Sequence, residues 1–449
     1  MKTLLAALCI LLFGSPVPAL AAAAAGGKDW SPPPQEQQLP TKMRSAMPDL
    51  PRIRVGQTNA DFLGTDNRAL QAAVDYVGGL GGGVVEIGPG EYAMRDSLHL
   101  RSFVTVRGTP GQTVLRKAAG TSSPLAIDGD FGEEQVTVAD ASGFDVGCGL
   151  AVWDAKAGGF HITVARITAR NGNTLAIDRP LMADCMAGNG ARAATVFPVV
   201  SGRDIEGARV EHLIIEGNRE QNPPLDGCRG GGIYLYRAFG TFIEDCTVRS
   251  YNGDGISFQQ SNDVTVTGCV SENNAALGLH PGSGSQRATV RGCVARNNGT
   301  DGLFLCWRVR HGVFEENILE GNRRYGISIG HKDTDNLLQR NQVRDNFADG
   351  ICFRNETVGM AGHRNRIEDN VIENNGRDRQ VGGILIQGET QGVILKNNRI
   401  RDTRAPDARR QTVGIQLDEK VGPVIMEGNA IDAGVQVRDQ RNRADAARR

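Results

Sequence analysis

A histidine, three cation-bearing turns and a row of carboxylates recur at regular intervals in the middle of this sequence. His280 stands in Gly278-Leu-His-Pro-Gly-Ser, and Trp307-Arg308, His331-Lys332 and Arg354-Asn355-Glu356 follow in turn. Asp254, Asp301 and Asp349 each precede a glycine, Tyr325 fills the same slot, and Tyr234 heads the column two residues beyond each glycine that also holds His280. Such a set suits an acidic sugar polymer. A histidine can move a proton and cations can hold a sugar carboxylate, so the catalytic candidates are His280, Arg308, Tyr325 and Lys332. Asp254, Asp301, Trp307, His331, Arg354, Glu356 and Tyr234 are the substrate-binding candidates. Each also has a plainer reading: Asp-Gly is ordinary turn chemistry, and His311 suits a structural corner.

These residues need a scaffold that repeats with them. Gly followed by apolar, variable, apolar recurs at Gly232, Gly255, Gly278, Gly302, Gly326, Gly350, Gly383 and Gly414, in steps of 23, 23, 24, 24, 24, 33 and 31. Each period holds a second short apolar segment and an Asn near the next corner, as at Asn274, Asn298, Asn322 and Asn346. Strands this short cannot bury a face alone and must stack on copies of themselves. The fold class is all-β, a right-handed parallel β-helix. Its register predicts one buried column of Ile256, Leu279, Leu303, Ile327 and Ile351, with residues two beyond each glycine facing out.

Cys246, Cys269 and Cys293 occupy one slot of this repeat, which Asn317, Asn341, Asn370, Asn398 and Asn429 then fill. A slot that accepts either residue reads as stacked buried thiols rather than disulfides or a metal site. Whether other cysteines pair stays open.

Glycine supplies 58 of the 449 residues while aromatics make up 5%, which excludes a coiled coil or a membrane bundle. Fifty basic and 51 acidic residues leave a net charge of −1, so no global field calls for nucleic acid or an anionic membrane. Residues 1–25 read as a signal peptide, with Lys2, an apolar run from Leu4 to Phe13 and Ala19-Leu-Ala before small residues, so a secreted or periplasmic protein without membrane insertion is expected. A proline-containing linker covers 26–52. The cap and first coils follow over 53–132, where Thr65-Asp66-Asn67 opens a helix that covers the end of the core. Alternating strands at 133–199 form an inserted β subdomain, the repeats fill 200–436, and 437–449 is a disordered tail. A monomer is expected.

Two stretches resemble known families. Leu70-Gln-Ala-Ala-Val-Asp75 followed by Gly83-Val-Val-Glu-Ile-Gly-Pro-Gly-Glu-Tyr92 resembles the opening of the pectate-lyase-like superfamily, which implies the β-helix with its capping helix. Gly278–Ser283, Asp301–Arg308 and Tyr325–Ile329 resemble the catalytic rungs of mannuronan C5-epimerases. That resemblance implies His280 as base and Arg308 as the residue that neutralises the substrate carboxylate, with a uronate polysaccharide as partner. Lyase and epimerase remain open. So do two rivals: an inverting glycoside hydrolase using paired aspartates such as Asp254 and Asp301, and a non-catalytic carbohydrate-binding β-helix. No cofactor is expected. Calcium is conceivable, but aspartates on alternate rungs stand too far apart to share one ion.

Overall fold

A computed structural model describes residues 49–441. The expected signal peptide, most of the linker and the end of the expected tail lie outside those residues. The repeats wind into three parallel sheets, and each coil adds one strand to each. Sheet I has 13 strands, sheets II and III have 11 each, and a separate six-stranded sheet is antiparallel. A typical coil runs Ile256–Gln259 in sheet III, Thr265–Thr267 in sheet I and Val270–Glu272 in sheet II.

The expected register stands. Ile256, Leu279, Leu303, Ile327 and Ile351 pair in sequence down sheet III, and none is more than 2% exposed. A one-residue slip would turn this column to solvent.

Asparagines lock one coil to the next. Asn298 donates its backbone N–H and Nδ2 to Asn322 Oδ1, and Asn322 does the same to Asn346, at 2.9–3.1 Å. A second ladder runs from Asn317 through Asn341, Asn370 and Asn398 to Asn429. Cysteine substitutes in this second ladder because it performs the same task. Cys293 Sγ donates to the Val266 carbonyl as Asn317 Nδ2 donates to that of Val290. Cys246, Cys269 and Cys293 are buried free thiols.

Helix α1 (Asn67–Gly79) closes the N-terminal end of the core. Asp66 caps it by accepting from the Arg68 N–H, and Leu70, Ala73, Val74 and Val77 turn into the core. The antiparallel sheet starts earlier than residue 133, because Ser122–Pro124 pairs with Arg192–Ala194. The last strand, Val435–Asp439, pairs with the preceding coil, so the stack continues past residue 436. Among the described residues, no helix is long and apolar enough to cross a membrane.

Candidate functional site

The outward positions of sheet III come in two columns. One runs Tyr234, Ser257, His280, Phe304, Ser328 and Cys352; the other includes Tyr236, Gln259, Gly282 and Cys306. His280 does point away from the core, as period-2 alternation requires. It is nevertheless 3% exposed, because the segment between Asn218 and Gly232 folds back over it. Gly227 lies against the Asp254 carboxylate, where a Cβ would overlap the acid, and its carbonyl accepts from Ser257 Oγ at 2.7 Å. The expectation of an open His280 facing substrate is therefore corrected.

Under this cover His280 Nδ1 and Asp254 Oδ2 are 2.6 Å apart. Burial works to lower the His280 pKa, but the Asp254 hydrogen bond and charge prevail and raise it to about 10. The other ring nitrogen is left for what lies beyond. Cys228, from the covering segment, and Cys306, after the next strand, each place a sulfur there, and one ligand atom from each of Cys228, His280 and Cys306 lies within 4.8 Å of the others. The Cys228 hydrogen bond draws Cys306 toward thiolate, helped by His280 and His331, while the same contact and burial push Cys228 up.

Substituting Gly227 should dislodge this cover. Gly227→Val is expected to cost about 1–3 kcal/mol through overpacking against Asp254 and to raise the reactivity of Cys228 and Cys306 toward a water-soluble thiol reagent. Unchanged melting and thiol reactivity would count against the role given to the segment.

Several other expected site residues are structural supports. Tyr234 is buried and donates to the Cys228 carbonyl at 2.9 Å, so it holds the covering segment. Asp301 is fully buried and takes both arms of Arg324, at 2.6 and 2.7 Å. Asp254 and Asp301, engaged separately with His280 and Arg324, do not form the free carboxylate pair that hydrolysis needs. Arg354 braces the interior: it donates to Ser328 Oγ, the Leu305 carbonyl and Asp333, and its guanidinium lies over Phe304. Burial raises Asp333 to about 7, against the opposing pull of Arg354.

Tyr325 and Arg308 are not brought together. Tyr325 precedes its strand and lines a cleft of about 340 Å³ with Asp349, Arg379, Gln387 and Gln416. Arg308 follows its strand, at the far edge of the face. There a ledge forms from the left-handed pairs Trp307-Arg308 and His331-Lys332. The Trp307 and His331 rings lie 5.6 Å apart, and Phe160 of the inserted subdomain meets Trp307 edge-on at 6.4 Å. Trp307 is 37% exposed. His331 Nε2 pairs with Glu356 at 2.7 Å. Arg308 and Lys332 make no ion pair among the described residues, whereas Arg287, Arg296 and Arg344 are each matched to an acid one rung away. His311 is exposed at the following corner.

Sequence reasoning missed Cys228 and Cys306 as partners of His280. The period placed Cys306 on the outward face, but nothing local announces that Cys228 folds back over two coils.

Comparison with known proteins bears on the fold. The chain is similar to the A-module of the Azotobacter vinelandii mannuronan C-5 epimerase AlgE4, at 16% identity over 86% of this chain and 97% of that one, with a TM-score of 0.56. The chain is a right-handed parallel β-helix. The Dettilon tailspike protein gp208 is also similar, at 14% identity over 86% of this chain and 68% of that one, with a TM-score of 0.54. A family model described as NosD, a periplasmic copper-binding protein, matches residues 211–429. No curated protein matches the chain.

Proposed function

We propose that the chain acts on an anionic, uronate-containing polysaccharide laid across the ledge beside sheet III, and that it removes the C5 proton as a lyase or C5-epimerase. The observation that carries this reading is the exposed indole of Trp307 flanked by two unmatched cations, Arg308 and Lys332. An indole offers a sugar ring an apolar platform. Of the two, one coil apart, Arg308 can clasp a ring carboxylate with two parallel hydrogen bonds. Charge neutralisation at that carboxylate is what lowers the barrier to C5 deprotonation. A β-helix whose solved relatives include a mannuronan C-5 epimerase module supports the substrate class. His280 is covered, so the C5 proton passes instead to Lys332, the other catalytic candidate on the ledge, acting as a free amine while Arg308 holds the carboxylate.

Incubation with defined polyuronates in deuterated water, followed by magnetic resonance at C5 and ultraviolet detection of unsaturated ends, tests the reading. Deuterium at C5, with or without chain cleavage, is expected. Arg308→Ala should lower kcat/KM by about 10²–10³-fold, and Arg308→Lys should recover only part of that loss. Absence of both exchange and cleavage on every polyuronate tried, or a fully active Arg308→Ala enzyme, would reject it.

A further inference from the structure

The aspartates before the repeat glycines lie on alternate rungs, too far apart to share one ion. The buried cysteines point the other way. We infer that Cys228, His280 and Cys306 bind one soft d¹⁰ cation, zinc(II) or copper(I), which ties the 218–232 segment to sheet III.

Three features carry this inference. The ligand atoms of the three residues converge within 4.8 Å, and both cysteines are free thiols. Two thiolates and an imidazole are a donor set for soft or borderline ions, not for calcium or magnesium. The second feature is the outer shell. Asp254 holds His280 through Nδ1 at 2.6 Å, which turns Nε2 toward the sulfurs. A carboxylate behind a metal-binding histidine fixes its tautomer and orientation in the same way.

The third feature is a surplus of unpartnered polar atoms around the same point. Gln259 is 1% exposed, its Nε2 approaches His280 Nε2 at 3.5 Å, and its Oε1 has no hydrogen-bond partner. His331 lies against Cys306 from the other side, with a buried Nδ1 that also has no partner. Its Nε2 is held by Glu356 at 2.7 Å, so His331 repeats the carboxylate–histidine arrangement of His280. His331 falls outside the 4.8 Å set. A modest side-chain movement would bring it in as a fourth ligand and complete a Cys₂His₂ tetrahedron.

Binding releases the thiol protons, because thiolates are the ligands. Without a metal, dissolved oxygen in the solution is the oxidant that can take two electrons from the neighbouring thiols of Cys228 and Cys306, which lose two protons and form a disulfide. That state is the main competitor and gives a distinct readout.

The full chain, purified under reducing conditions and stripped with a chelator, is titrated with zinc(II) or, anaerobically, with copper(I) against a chromophoric competitor. One equivalent per chain is expected, and cobalt(II) in the same site should give a thiolate charge-transfer band. Cys228→Ser and Cys306→Ser should each abolish that band, while Cys246→Ser should leave it intact. Asp254→Asn should keep the stoichiometry and weaken affinity by about 10–100-fold. Circular dichroism identifies any variant that fails to fold, and the cobalt spectrum of the Asp254→Asn protein then serves in its place. A wild-type chain that binds no more metal than the Cys228→Ser/Cys306→Ser double variant overturns the inference. So does a peptide map in which the reduced-then-stripped chain carries only a Cys228–Cys306 disulfide. Neither result depends on activity toward a polysaccharide.

Discussion

Asn322→Ala is expected to destabilise the solenoid by about 3–6 kcal/mol, because one buried side-chain amide serves four hydrogen bonds at once. Its Oδ1 accepts from the backbone N–H and Nδ2 of Asn298, and its Nδ2 donates to the Ala295 carbonyl and Asn346 Oδ1, where its own backbone N–H also ends. Alanine strands three of these partners without water: both Asn298 donors and the Ala295 carbonyl. An unsatisfied buried polar group costs about 1–3 kcal/mol, which sets the range. Asn429 does the same work at the half-buried end of its ladder, where solvent can replace the lost amide. Asn429→Ala should therefore cost only about 1 kcal/mol. Denaturant midpoints of the two variants, read against the unsubstituted chain, check the contrast. Equal losses at the two sites would remove the ladder from its assigned role.

The second large effect concerns Lys117, whose side chain is fully buried where the first coils meet the inserted subdomain. Burial pulls its pKa down to about 7 from 10.5. Its Nζ donates to the Thr195 carbonyl at 3.1 Å and to Asn222 Oδ1, and it lies 4.4 Å from the centre of the Phe197 ring. Between pH 7 and 10.5 the unfolded chain holds a proton on this lysine that the folded chain has released. Stability therefore rises with pH across that window, and the penalty for the buried ammonium is fully present below pH 7. Relative to Lys117→Met, which does not titrate, the unsubstituted chain should gain about 3–5 kcal/mol from pH 6 to pH 10.5. Unfolding free energies of both proteins at matched pH values give the difference directly. A gap that stays constant with pH would mean that Lys117 keeps its proton in the fold.

How far the sequence could be read depends on what each residue answers to. Gly255, Gly278 and Gly302 recur because a neighbouring coil packs against each, so the period declares the stack and the apolar column of Ile256 to Ile351 follows from strand geometry alone. The Asn-for-Cys exchange was legible for the same reason, since both side chains reach the same carbonyl position. His280 was legible only in direction. Alternation says that it leaves the core, but its cover comes from Gly227 and Cys228, far upstream in an irregular segment with no period to extrapolate. Tyr325 and Arg308 stand apart for a related reason. Sequence spacing fixes the rung, but the two ends of a strand lie on opposite edges of the face, and only Arg308 belongs to the ledge with Trp307 and Lys332.

The covering segment also restricts how such a chain can change over generations. In a solenoid whose coils touch only their neighbours, one coil is a unit that recombination can duplicate or delete while the remaining ladders close up again. Removing the 24-residue step between Gly302 and Gly326 would leave a shorter but intact stack. It would also take away Cys306 with its ledge, and Cys228 would reach back to a different face. Between residues 228 and 356 the coil number is therefore held by what crosses the coils, while beyond them it is free to drift. The steps of 33 and 31 that follow Gly350 are where this chain already tolerates extra length.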